Sequence, residues 1–186
     1  MARLVIASNR VPASAKRDQQ AGGLAVVLEE ALKGEALWFG WSGKRTAETS
    51  TKPTFATRGA TTFATIDLSE EDYQLYYAGF ANRSLWPLFH YRTGLVAYSR
   101  ADYKGYRATN EKFAKALAPL LKPGDILWIH DYHLIPRGRF LRKEGVDLSR
   151  GFFLHPPFPP QSIFDILPPA SELAADLAAY DVVGFQ

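Results

Sequence analysis

Two clusters of ionisable residues stand where chemistry could occur. His130, Asp131 and His133 follow the apolar run Asp125-Ile126-Leu127-Trp128-Ile129, and His155 follows Gly151-Phe152-Phe153-Leu154. In both cases a segment with the composition of a short buried strand ends in an ionisable side chain. Burying such groups costs free energy that folding alone does not demand. Ligands of open α/β sheets bind just beyond the carboxyl ends of strands. Pro156, Pro157 and Pro159 then restrict the backbone after His155. One such histidine would ordinarily be a satisfied core residue, but two strands that both end in histidine argue for a site. A zinc site at His130-x-x-His133 would need a third ligand and rigid spacing. Pro136 places the pair ahead of the next helix, so no metal is expected. Asp131 reads better as an acceptor for hydroxyl groups.

A second candidate is the loop after the first strand, from Ser8-Asn9-Arg10 to Ala21-Gly22-Gly23-Leu24. Glycines at a helix start let backbone N–H groups approach a phosphate, although a flexible loop would need the same residues for its backbone angles. The pattern is not G-x-G-x-x-G. Nor is Gly43-Lys44 a P-loop, since Trp38 replaces the first glycine and Arg45 the Ser or Thr. A third candidate is the band Tyr76, Tyr77, Phe80, Trp86, Phe89, His90 and Tyr91, mostly core, with one or two rings free to wall a sugar pocket. No carboxylate pair at strand ends supports a hydrolase of the two-carboxylate type.

The elements that must position these residues alternate between strand and helix. Strands are expected at 3–8, 37–41, 61–68, 125–130, 150–154 and 181–186. Helices are expected after Gly22-Gly23, where Leu24, Val27, Leu28 and Leu32 share a face, and from the Ser69 cap with Glu70 and Asp72 in its first turn. Further helices are expected at 110–121, 136–144, 161–167 and 171–179. This alternation predicts an α/β fold with a doubly wound, mostly parallel sheet, and 45–68 reads as a small antiparallel excursion.

With 186 residues, 47% of them apolar and 22% charged, the chain suits one soluble domain with a real core. A net charge of +3 is too small and scattered for a nucleic-acid binder, and Arg137, Arg139, Arg142 and Lys143 read as a solvated helix face. The absence of cysteine excludes disulfides and thiolate metal sites. No run is long enough to span a membrane, and the short apolar start lacks a signal-peptide cleavage site. A cytoplasmic location is therefore expected, with Asn82-Arg83-Ser84 a sequon without consequence. The apolar final strand, Asp181 to Gln186, suggests a piece of a longer protein.

Seven ordered blocks resemble the trehalose-6-phosphate synthase family, retaining glycosyltransferases of family 20. They are S-N-R at 8–10, A-G-G-L at 21–24, L-W-F-G-W-S-G at 37–43, Y-Y at 76–77, L-W-P-L-F-H-Y at 85–91, W-I-H-D-Y-H-L at 128–134 and G-F-F-L-H-x-P-F-P at 151–159. The resemblance implies a GT-B enzyme of two Rossmann-like domains. Residues 1–186 would be its single N-terminal, acceptor-binding domain, a fragment without the donor-binding domain and inactive alone. The implied reaction moves glucose from UDP-glucose to glucose 6-phosphate with retention, giving trehalose 6-phosphate and UDP. It needs no cofactor, metal, nucleic acid or membrane, and a homo-oligomer is compatible with it. By the same resemblance, Arg10 and Tyr77 contact the acceptor phosphate, and Asp131 holds acceptor hydroxyls. Gly22 and Gly23 meet the donor diphosphate, and His155 lies by the transferred glucose. Trp86 and Pro156 bear on anomer selectivity. Pro156 stands where the family pattern has a branched aliphatic such as Ile, which implies looser discrimination. Catalytic roles fall to Asp131 and His155 through positioning, with no enzymic nucleophile. The alternatives are a non-catalytic sugar-phosphate binding module or a structural piece that exposes an apolar face.

Overall fold

The computed structural model describes residues 2–11 and 34–186. Seven strands form one sheet: β1 (Leu4–Arg10), β2 (Ala36–Thr46), β3 (Thr54–Arg58), β4 (Thr61–Ser69), β5 (Ile126–His130), β6 (Arg150–Leu154) and β7 (Val182–Phe185). Their order is β3-β4-β2-β1-β5-β6-β7, and every neighbouring pair is parallel except β3 with β4. The expected mostly parallel sheet is therefore present. The antiparallel excursion is narrower than 45–68, because β4 itself runs parallel to β2 and only β3 turns back, through Gly59 at φ 57°.

Alternation along β1 explains its burial. Val5 and Ala7 join the large core on one face, while Ile6 joins Val11 and Trp38 on the other. The large core lies between the sheet and the helices packed on that face, two of them long. The first, α1, covers 70–89: an α-turn Glu70–Asp72, a π-helical stretch Tyr73–Leu85 and a last turn Trp86–Phe89. Ser69 caps it as expected, its hydroxyl accepting the Asp72 N–H at 3.0 Å. The second, α2 (Arg100–Leu117), starts ten residues before the expected Asn110, at an N-cap on Ser99. Close approach of the two helices depends on glycine. A Cβ on Gly105 would meet Leu75 at 2.3 Å, and one on Gly79 would meet Asp102 at 2.8 Å.

Three shorter helices follow: α3 (Arg137–Lys143), α4 (Gln161–Phe164) and α5 (Ala170–Leu177). Arg137 departs from the expected solvated basic face, since it is 1% exposed. Its guanidinium lies 4.5 Å from the Phe113 ring centroid and donates to Asn110 Oδ1 at 3.2 Å. Arg139 pairs with the buried Asp176, which also pairs with Arg107, and only Arg142 and Lys143 stay on the exposed face. No helix among the described residues is long and apolar enough to cross a membrane.

Candidate functional site

The parallel order places the ends of β1, β5 and β6 side by side, and the candidate residues follow them. Arg10 closes β1. The two residues before it are anchored by Trp38, whose indole N–H donates to Ser8 Oγ at 2.8 Å, and by Tyr76, whose hydroxyl donates to Asn9 Oδ1 at 2.7 Å. The exposed Arg10 guanidinium lies over Gly43, where a Cβ would stand 2.8 Å from Nε, and 6.0 Å from the Trp41 ring centroid.

From Arg10 a line of contacts runs across the sheet edge. The Trp41 and Tyr77 ring centroids are 5.7 Å apart. Tyr77 stacks on His133 at 5.5 Å and 13°, and His133 stacks on Tyr132 at 4.0 Å. Asp131 comes next, and its Oδ1 accepts the Tyr132 N–H at 3.0 Å. The His155 backbone and ring lie near enough to this carboxyl to favour its charged form. The line ends at His155 Nε2, 3.2 Å from His130 Nδ1. Arg10, Tyr77, Asp131 and His155 thus share one continuous edge rather than separate surfaces. Trp86 opens the last turn of α1, 40% exposed and stacked on His90 at 4.2 Å. Pro156 is buried directly after His155. Gly22 and Gly23, with the helix expected after them, lie outside the described residues.

Charge states along this edge follow from burial. Desolvation raises the Asp131 carboxyl above the usual carboxylate range, opposed by the Tyr132 and His155 N–H groups and by the nearby His155 and His90 rings. Burial pushes His130 down to about 3, aided by repulsion from His155, and burial alone pushes His133 down to about 3. Both rings are therefore neutral near pH 7. The edge offers an exposed guanidinium at one end, a carboxyl group in the middle and a hydrogen-bonded imidazole pair at the other.

The turn carrying Asp131 is held by residues that the sequence reading passed over. Asp131 adopts φ 78°, ψ 161°, a backbone region that costs a non-glycine residue about 1–3 kcal/mol and persists only under outside constraint. Four successive carbonyls after it are clamped. Tyr106 donates to Tyr132 O at 2.7 Å, and Asn110 donates to His133 O at 3.0 Å. The Tyr180 hydroxyl lies 3.0 Å from Leu134 O and 3.1 Å from Ile135 O, and it accepts the Gly138 N–H at 2.9 Å. Tyr180→Phe leaves the Gly138 N–H and a carbonyl buried without partners. It is expected to cost about 2 kcal/mol by urea denaturation, and an unchanged midpoint would remove Tyr180 from the clamp.

The sequence profile of glycosyltransferase family 20 matches residues 2–186. The trehalose-6-phosphate synthase of Sodalis glossinidius is 48% identical over 187 residues, covering 100% of this chain and 40% of the relative. The solved UDP-forming α,α-trehalose-phosphate synthase of Burkholderia vietnamiensis superposes with a TM-score of 0.95 at 45% identity, covering 100% of this chain and 41% of that one. A Burkholderia xenovorans counterpart in complex with glucose-6-phosphate gives a TM-score of 0.90 at 43% identity, with 100% and 40% coverage. The chain thus spans about two fifths of the length of the relatives it matches. With the profile covering all but the first residue, the chain belongs to glycosyltransferase family 20.

Proposed function

We propose that this chain supplies the acceptor-binding half of a UDP-forming trehalose-phosphate synthase, a retaining transferase that joins glucose from UDP-glucose to glucose 6-phosphate. In this reading residues 1–186 form one N-terminal Rossmann-like domain of a GT-B enzyme, and the donor is gripped mainly by residues beyond it. The observation that carries the reading is the unbroken contact line from Arg10 to His155, with a phosphate-competent cation at one end and a hydroxyl acceptor in the middle.

A guanidinium matches phosphate oxygens through paired planar donors, and Tyr77 lies one ring away through Trp41. The Asp131 carboxyl oxygens accept hydrogen bonds from the acceptor's hydroxyls. Trp86 and Pro156 shape the acceptor pocket, and Gly22 and Gly23 meet the donor diphosphate. Rate enhancement then comes from alignment of the two sugars and from neutralising the departing diphosphate.

The test is calorimetric titration of the purified chain with glucose 6-phosphate and with glucose. Arg10→Ala is expected to weaken glucose 6-phosphate about tenfold, near 1.5 kcal/mol because the side chain is exposed and screened. Glucose binding should not move. Equal affinity for the two sugars, or no effect of Arg10→Ala, overturns the acceptor assignment. Robust UDP release from UDP-glucose plus glucose 6-phosphate by this chain alone overturns the half-site assignment.

A further inference from the structure

We propose that His130 is a positioning residue that fixes the ring tautomer of His155, holding His155 as an Nδ1–H donor. The pair is built by the sheet. His130 is the last residue of β5 and is in register with Phe153, and His155 follows the end of β6. This parallel neighbour relation brings the rings to 5.4 Å between centroids at 21°, with His130 Nδ1 3.2 Å from His155 Nε2.

At that distance one nitrogen carries a proton and the other accepts it. His130 decides which. It is 1% exposed, and its Nε2 is buried with no hydrogen-bond partner among the described residues. If His155 donated, neutral His130 would carry its proton on Nε2, leaving an orphaned buried N–H, which native structures rarely tolerate. If His130 donates from Nδ1, its buried Nε2 is a bare lone pair and no donor is stranded. His155 then accepts at Nε2 and must hold its own proton at Nδ1. Burial and the neighbouring ring keep His130 from taking a second proton near neutral pH, so the polarity of the pair does not reverse there.

The consequence is chemical. A His155 ring held in this form can donate to a hydroxyl or oxyanion, but its basic nitrogen is already engaged. It is a donor to substrate oxygen and not a general base. That use rests on the glycosyl-transfer reading, whereas the tautomer itself does not.

The test is a long-range ¹H–¹⁵N correlation spectrum of the unaltered chain at pH 7, with the four imidazoles assigned by single substitution. His130 and His155 should each show Nδ1 with a pyrrole-like shift and Nε2 with a pyridine-like shift. A protonated Nε2 on either ring overturns the proposal. Two variants separate positioning from folding. His130→Asn, whose amide can occupy the place of Nδ1–H, should retain the His155 tautomer. His130→Leu, if folded by circular dichroism, should release His155 into a tautomer mixture. A folded His130→Leu chain with His155 still wholly Nδ1–H overturns the proposal, and the wild-type spectrum decides the matter if that variant does not fold. Failure of glucose 6-phosphate binding with the tautomers as expected would sink the functional reading alone.

Discussion

Moving the chain from pH 7 to pH 5 is expected to remove about 3–4 kcal/mol of folding stability, most of it through His130 and His133. Both imidazoles are buried and pushed down to about 3 in the fold, against about 6.5 in an unfolded chain. Below pH 6.5 the unfolded state therefore gains protons that the native state refuses. Stability falls with pH from there to the native values near 3, each ring contributing just under about 2 kcal/mol by pH 5. Asp131 opposes this, since its raised carboxyl takes up a proton in the native state first. The carboxyls held low, Asp125, Asp181 and Glu111, add their loss only at more acid pH. His133→Phe isolates one contribution. Neither nitrogen of His133 has a hydrogen-bond partner among the described residues, so a phenyl ring keeps the stacks on Tyr77 and Tyr132 and strands nothing. The variant should be at least as stable at pH 7 and about 2 kcal/mol less acid-sensitive by pH 5 in paired urea titrations. An undiminished drop between the two pH values would show that His133 does not titrate as its burial requires.

The strand ends that build the site were legible because local chemistry marks them. Pro123-Gly124 and the prolines after His155 bracket apolar runs, and the observed β5 and β6 end at His130 and Leu154 as read. The Ser69 cap was legible for the same reason. The early start of α2 was not. Between Ser99 and Asn110 its buried face consists of Asp102, Tyr103, Gly105, Tyr106 and Thr109, which carry little aliphatic periodicity. The clamp on the Asp131 turn was hidden differently, because Tyr106, Asn110 and Tyr180 lie 26, 23 and 46 residues from the carbonyls they hold. Arg137 could have been found. At about 100° per residue, Arg139, Arg142 and Lys143 fall on one side of a helix and Arg137 opposite them. The four cannot form one solvated face, and burial of Arg137 against Phe113 follows from that geometry. The backbone of Asp131 had no local signal, since φ 78° and ψ 161° belong to glycine by propensity.

That same residue should show function opposing stability. Asp131→Asn is expected to make the chain more stable at pH 7 while weakening glucose 6-phosphate about 100-fold. The sign follows from the raised carboxyl pKa. Stability from such a group is fully present below its unfolded value, near 3.8, and is lost as pH rises through the higher native value. Above the unfolded value the native state therefore bears a desolvation cost that it has not recovered, and a neutral amide removes that cost. Asn keeps one oxygen to accept the Tyr132 N–H, and it leaves the strained backbone unchanged. The advantage of the variant should shrink as pH falls toward the ordinary carboxylate range. Its binding loss has a separate origin: the amide offers a donor where a hydroxyl needs an acceptor, and the remaining bond loses its charge. Together these amount to about 3 kcal/mol. Denaturation and titration of one preparation measure both effects, and a variant that is less stable at pH 7 with affinity intact would overturn the assignment. A residue kept in a glycine-only conformation, with a charge that its surroundings penalise, is maintained against folding by something else. On the proposed acceptor role, the hydroxyl groups of a bound sugar would supply the reason that packing does not.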